Sequence, residues 1–339
     1  MLQPTPGMNR QECLFYFSEL PMSEVTHHPW LHRYAVTTLF VAFVTALFGT
    51  LTTSMKAGMA FRDWPTSDGQ FMVTYPWFSD FAKDWDRFLE HGHRLSGMMI
   101  GLFAIGLVVV VYKSDARRSV RWASIAVLLG VIGQGVLGGV RVLRESFDLA
   151  QVHGAFAAVV FSVLAIVITM LGRPWINAKQ DSGHADIEHL RPFALLSVAA
   201  LAFQYFLGGL IRHHGTGLHE HLAMGFVALG LLIANAWLAL TSGVPWIKRG
   251  GAMLAGMTVV QVLLGLGAWV LKFGHAATGY VATADSIEQV SVRTAHTLVG
   301  ILTFMLSVVY TARVFRVYSV SQTVDPLTTP SSHPVPGGA

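Results

Sequence analysis

The chain has 339 residues, of which 53% are hydrophobic and 12% charged, with a formal net charge of +4 and a mean hydropathy of +0.52. A soluble domain carries about twice that charged fraction, so the composition points to an integral membrane protein instead of two soluble domains. The basic excess sits in loops and implies no nucleic-acid partner, while the single cysteine, Cys13, excludes an intrachain disulfide and any cysteine-based metal site.

Residues 1–33 lack the apolar core of a signal peptide and carry Glu12, Glu19 and Glu24, which argues against an acid-poor presequence; a cytoplasmic N-terminal segment is expected there. Eight uncharged runs follow: Tyr34–Met55, Leu95–Tyr112, Trp122–Val140, Leu149–Gly172, Pro192–Ile211, His221–Ile247, Gly250–Leu271 and Thr294–Ala312. Each is close to the ~20 residues that cross a hydrocarbon core of ~30 Å. Runs this long and continuous satisfy their backbone there as helices.

The expected fold is therefore all-α and integral to the membrane, with eight transmembrane helices arranged as two pseudo-symmetric four-helix bundles. One half covers 34–172 and the other 192–317, joined by a cytoplasmic linker at 173–191. The Pro-, Ser- and Thr-rich tail at 318–339 has the composition of a disordered segment. Lys113, Arg117, Arg118 and Arg121 crowd the loop after the second run, and Lys248 and Arg249 follow the sixth. By the positive-inside rule these loops and both termini are cytoplasmic, and the outer loops after the first and seventh runs are the long ones.

The chain is organised around Glu90-His91-Gly92-His93-Arg94, where a polar segment runs into an apolar one. Glu90 and His93 are three residues apart and share one helix face. The pattern His-x-x-x-small recurs from His153 to Ala157, His221 to Gly225 and His296 to Gly300, always on even-numbered helices. On the odd-numbered helices Gln134, Gln204 and Gln261 each precede a glycine by four positions, and Thr45 stands likewise to Gly49. Small residues let membrane helices approach closely, and an intramembrane Gln can bond a neighbour. The repeated unit is a helix pair, present four times.

A lone histidine at a membrane rim is most often an interfacial anchor. Four in one register on alternate helices instead fit ligation of iron, with a haem clasped between two imidazoles in each half. His93 with His153 forms one pair and His221 with His296 the other, so all four are candidate metal ligands. His91 lies about 200° around the helix from His93 and cannot face the same iron. His219 stands in the same relation to His221, and the choice between those two rests on the repeat register. Glu90 has no counterpart in the third helix pair; it is a candidate proton acceptor, or else an acid complementing the helix dipole. Arg94, Arg141, Arg212 and Lys272 lie near the same rim, where they pair haem propionates or snorkel.

These residues together resemble the heme A synthase family. Ala57-Gly58-Met59-Ala60 through Asp63-Trp64-Pro65 resembles that family's first outer loop, and Glu90-x-x-His93-Arg94 its Glu-x-x-His-Arg motif. Gln134 to Gly138, His153, Gln204 to Arg212-His213, and His296 follow its repeated pattern, the resemblance spanning roughly Trp30 to Val317. It implies a multi-pass protein of the bacterial cell (inner) membrane that oxidises the C8 methyl of haem O to a formyl group, giving haem A. It further implies that His93 and His153 face the haem O substrate, that His221 and His296 bind a haem b cofactor, and that Glu90 assists the oxidation. Implied partners are membrane lipid, a haem O synthase upstream and subunits of an aa3-type cytochrome oxidase downstream; homo-oligomerisation stays open. Many family members carry a cysteine pair in the first outer loop, where this chain has Thr66, Ser67 and Asp68, and the third outer loop is shorter and the fourth longer than the family suggests. A di-haem b-type membrane cytochrome that only passes electrons needs the same four histidines, but neither Glu90 nor a pocket for a farnesylated haem. A haem-handling chaperone or transporter is the remaining reading.

Overall fold

A computed structural model describes residues 27–115, 117–178 and 187–323. The expected N-terminal segment up to residue 26, with Cys13, most of the expected linker (179–186) and the tail from 324 onward lie outside the described residues. Among the described residues there are eight helices long and apolar enough to cross a membrane, and the chain is a multi-pass membrane protein. They are α1 (Pro29–Ser54), α2 (Trp85–Ser114), α3 (Arg118–Leu143), α4 (Phe147–Leu171), α5 (Leu190–His214), α6 (Leu218–Thr241), α7 (Pro245–Phe273) and α8 (Ile287–Thr323).

The helix ends follow local chemistry. Proline opens α1 and α7, where its missing N–H costs nothing. Asp84 caps α2 by accepting from the Arg87 N–H at 3.1 Å, and Ser146 caps α4 through the Leu149 N–H at 3.2 Å. The turn between α5 and α6 is only Gly215-Thr216-Gly217, and both glycines adopt the left-handed conformation, at φ +71° and +81°.

Every helix begins somewhat before its charge-bounded run, and three of the differences at helix ends are instructive. α2 begins at Trp85, ten residues before Leu95, because charged Asp86, Arg87, Glu90 and Arg94 continue the helix into the outer loop. The sixth run, expected to reach Ile247, is cut by Ser242-Gly243-Val244, with Gly243 at φ +75°, so Trp246 and Ile247 belong to α7. No charge marks that turn. α8 runs on to Thr323, so the first residues of the expected tail are helical.

In the first half α1 packs on α2, α2 on α3, α3 on α4 and α4 back on α1; α5 to α8 close the same ring in the second half. The halves meet through α4 with α8, α1 with α8, and α4 with α5, a pattern that maps onto itself when the halves are exchanged. Accordingly α4 and α8 are the most enclosed spans, 50% and 44% buried, against 28% or less for the others. One core joins Leu31, Ala104, Leu107, Val127, Phe161 and Leu164 to Met305 of α8, and a second gathers Leu190, Leu232, Leu254, Tyr310 and Val314. Apolar side chains left outside both cores, such as Phe40, Leu102, Leu129, Phe203 and Phe226, face outward, as lipid-facing positions should.

Candidate functional site

Each of the four repeated histidines lies on the glycine of the preceding odd-numbered helix. A Cβ placed at Gly49 would stand 2.7 Å from His93 Cε1, at Gly138 3.2 Å from His153 Cε1, at Gly208 3.3 Å from His221 Cε1, and at Gly265 3.1 Å from His296 Cε1. A side chain at any of these positions would press on an imidazole, so the glycine is what lets the ring lie between two helices. The small residue four after the histidine does the reciprocal job in the second half. A Cβ at Gly225 would be 3.3 Å from Gln204 Nε2, and one at Gly300 3.2 Å from Gln261 Nε2. The two sequence repeats are therefore the two sides of one contact.

Within each half the rings meet in pairs. His93 and His153 have ring centroids 6.2 Å apart with planes at 89°, and His221 and His296 are 6.3 Å apart at 82°. Two metal–imidazole bonds of about 2 Å, plus about 1 Å from each nitrogen to its ring centre, put the ring centres about 6 Å apart. The spacing in both halves fits an iron held between two imidazoles. His221 meets His296, whereas His219 is exposed.

Each ring meets the backbone of the preceding odd-numbered helix at the residue four before the glycine. His93 Nδ1 lies 3.0 Å from the Thr45 carbonyl oxygen, and His221 Nδ1 lies 3.2 Å from that of Gln204. The His153 and His296 rings meet the backbone of Gln134 and Gln261 in the same way, while Gln204 Oε1 and Gln261 Oε1 are buried without a hydrogen-bond partner among the described residues. Gln134 Nε2 donates to the His153 backbone carbonyl at 3.1 Å. The amide nitrogens of Gln204 and Gln261 lie 3.3 and 3.5 Å from Nε2 of His221 and His296. Buried polar atoms without partners, next to imidazoles at iron-clasping distance, are the mark of a group that completes the site.

Above the first pair sits the long outer loop between α1 and α2. Glu90 is 2% exposed. One of its oxygens accepts from Arg94 Nη2 at 2.7 Å and the other from the Phe61 backbone N–H at 3.2 Å. Arg94 also donates to the carbonyls of Asp63 (2.8 Å) and Thr66 (2.7 Å) and lies over the Phe61 ring at 5.1 Å. His91 is fully buried, with Nδ1 3.0 Å from Ser67 Oγ and Nε2 3.0 Å from the Met72 carbonyl oxygen. Asp63 accepts from the backbone N–H groups of Asp68 and Gly69; burial opposes its ionisation, but bonds from Thr66, Gly69 and Asp68 hold its carboxyl below the usual range. Trp64 covers Gly139 of α3, and Arg141 donates to the Gly58 carbonyl at 3.1 Å. The sequence reading gave His91 no role; its 200° offset from His93 is what turns it up into the loop.

The rim cations divide. Arg94 and Arg141 hold the first loop, and Lys272 lies 5.6 Å from the Phe273 ring centre. Arg212 ties the halves together by donating to Thr297 Oγ1 (2.6 Å), the Thr50 carbonyl (2.6 Å) and Ser54 Oγ (3.2 Å). An apolar slot of about 290 Å³ between α1 and α2 is lined by Val41, Val44, Phe48, Trp77, Leu95 and Met99, with Gly92 and Ser96, neighbours of His93 along α2, but not by His93 itself. A larger groove of about 910 Å³, between α4 and α5, is lined by Gln151, Phe156, Phe206, Leu210 and His214 among others and, like the slot, by none of the four histidines.

The sequence pattern of the COX15-CtaA family, described as cytochrome oxidase assembly protein, matches residues 10–165 and 82–220. Among curated proteins the chain is similar to heme A synthase of Paracoccus denitrificans, 32% identical over 137 residues that cover 37% of this chain and 34% of that protein. It is also similar to heme A synthase of Jannaschia sp., 33% identical over 147 residues covering 40% of this chain and 36% of the relative. The match to heme A synthase of Symbiobacterium thermophilum is 26% identical over 187 residues, covering 52% and 58%. The chain thus spans about a third to somewhat over half of the length of these relatives. No solved structure matches it.

Proposed function

Because this chain belongs to the COX15-CtaA family of cytochrome oxidase assembly proteins, we propose that it is a heme A synthase, oxidising the C8 methyl of a haem O substrate to the formyl group of haem A. The observation that carries this reading is the pair of imidazole clasps, 6.2 and 6.3 Å between ring centres, each seated on two glycines. His93 and His153 hold the substrate porphyrin, and His221 and His296 hold a haem b cofactor. The bound iron porphyrins supply the redox chemistry.

The chain's own residues orient and enclose. Thr45 fixes the His93 ring through its carbonyl, leaving Nε2 as the ligating atom. The slot beside His93 suits a long apolar substituent such as a farnesyl tail. Glu90, one turn before His93, is the carboxylate placed to take a proton as the methyl is oxidised, while the loop held by Arg94 and His91 shields that side from water. The product serves an aa3-type oxidase, the substrate comes from a haem O synthase, and both termini lie on the cytoplasmic side of the bacterial inner membrane.

A di-haem electron carrier needs the same four imidazoles, and one observation favours it: both Glu90 oxygens are already engaged, by Arg94 and by the Phe61 N–H. Co-expression with a haem O synthase followed by haem extraction decides between them. Haem A, or its hydroxylated precursor, is expected in the extract. An extract with haem B and haem O alone leaves the electron carrier.

A further inference from the structure

We propose that the molecule binds the phosphate group of an anionic phospholipid where α7, α8 and the turn after α4 meet, at the end of the bundle remote from the imidazole clasps. The inference is separate from the haem reading.

α8 carries no charge from Thr294 to Ala312, so Arg313 is the first cation met on leaving the apolar span, and Arg316, three residues on, shares its face. Each guanidinium lies over a tryptophan. Arg313 is 5.3 Å from the centre of the Trp246 ring at the start of α7, and Arg316 is 5.4 Å from that of Trp175, in the single turn Arg173–Ile176 that follows α4. The two indoles meet edge to face, with centroids 6.2 Å apart and planes at 87°. Trp175 follows the first half and Trp246 belongs to the second, so the row Arg316, Trp175, Trp246, Arg313 crosses the seam between them. Tryptophan at this depth is an interfacial residue whose ring face also attracts a cation.

The row has no negative charge of its own. The acids described at this end are turned elsewhere: Asp115 pairs with Arg117, and Glu188 stands 4.0 Å from Arg191. Arg316 has two long bonds, both 3.4 Å, to the Trp175 carbonyl, and Arg313 Nε is buried with no hydrogen-bond partner among the described residues. Tyr310, one turn deeper on the same face, is 2% exposed, and its hydroxyl is likewise unpartnered. A Cβ at Gly250 of α7 would stand 3.1 Å from Arg313 Nη1 and 3.2 Å from Tyr310 Cδ2, so a glycine makes the room in which both side chains lie. A cation withdrawn from water is costly without a counter-charge, and a buried donor is costly without an acceptor. A phosphate supplies both, and the guanidinium fork is the side chain that matches it best. At this depth the phosphates within reach are lipid headgroups, and basic pockets between membrane helices take anionic ones.

The test uses the full-length protein purified in detergent and stripped of lipid, as wild type and as Arg313→Met, Arg316→Met and Arg118→Gln, the last an exposed cation away from the row. Phosphatidylglycerol, phosphatidylethanolamine and inorganic phosphate are added in turn, and bound ligand per protein is read by native mass spectrometry. Wild type should retain one phosphatidylglycerol in preference to phosphatidylethanolamine. Arg313→Met and Arg316→Met should each weaken that retention about tenfold, and Arg118→Gln should leave it unchanged. Should Arg313→Met not accumulate as folded protein, Arg313→Lys keeps a charge without the planar fork, and weaker retention is again expected. Equal retention of the two lipids, or a loss matched by Arg118→Gln, overturns the site. Inorganic phosphate that displaces the lipid at equal concentration makes free phosphate the ligand and overturns the lipid assignment.

Discussion

Replacing Arg94 with Met keeps the apolar stem and deletes the guanidinium, which isolates what that group does for the outer loop. The guanidinium faces the Glu90 carboxylate at 2.7 Å, with side-chain exposures of 7% and 2%. Stranding one member of a buried pair costs about 3–5 kcal/mol, because the remaining charge stays desolvated. The carbonyls of Asp63 and Thr66 lose their donors as well; they sit in a surface loop and regain water, so their share is counted as small. Adding Glu90→Gln to Arg94→Met removes the stranded charge and should restore most of the 3–5 kcal/mol, whereas each single change should be costly. The assay is a thermal melt in detergent, combined with trypsin cleavage at Arg62 and Lys83, exposed residues of the loop. Arg94→Met should melt earlier and be cut faster in the loop, and the double variant should recover on both counts. A double variant no more stable than Arg94→Met would show that the pair does not hold the loop through its charges.

Glu90→Ala should abolish conversion of haem O while the absorption of haem b survives; loss of all bound haem would make the carboxylate purely structural. Gly265→Val places branched carbon where a Cβ already stands 3.1 Å from the His296 ring, and should empty the second clasp without emptying the first, read as haem per protein. Asn235, fully buried in α6, donates to Ser197 Oγ at 2.6 Å and the Phe193 carbonyl at 2.8 Å, so Asn235→Leu should cost about 1–3 kcal/mol in a denaturant titration. Asp285 is held below the usual carboxylate range by its hydrogen bond to Lys56, helped by Arg293, so what it adds to stability is present above its unfolded pKa and disappears as the pH falls through its lowered folded value. Both partners of the Lys56 bridge are exposed, so Asp285→Asn should change stability by less than about 1 kcal/mol at neutral pH, and by less still in high salt.

The membrane-spanning architecture was legible because charge and hydropathy alone define a span, and the eight runs match eight helices. The histidine pairs were legible because duplication writes the same register four times, and the Gln-to-Gly repeat proved to be the seat on which those rings rest. What stayed hidden is long-range. That Arg94 would reach Asp63 and Thr66, or His91 reach Ser67 and Met72, has no periodic signature, since the loop's path is set by contacts across 19 to 31 residues. The turn at Ser242-Gly243-Val244 escaped a reading based on charge because it carries none; Gly243 before Pro245 was the available signal.

His153 and His296 hang from α4 and α8, the two helices that touch across the middle of the molecule. One wall of each cage is therefore also the party wall between them, and a tilt of α4 would lean directly on the helix that carries His296.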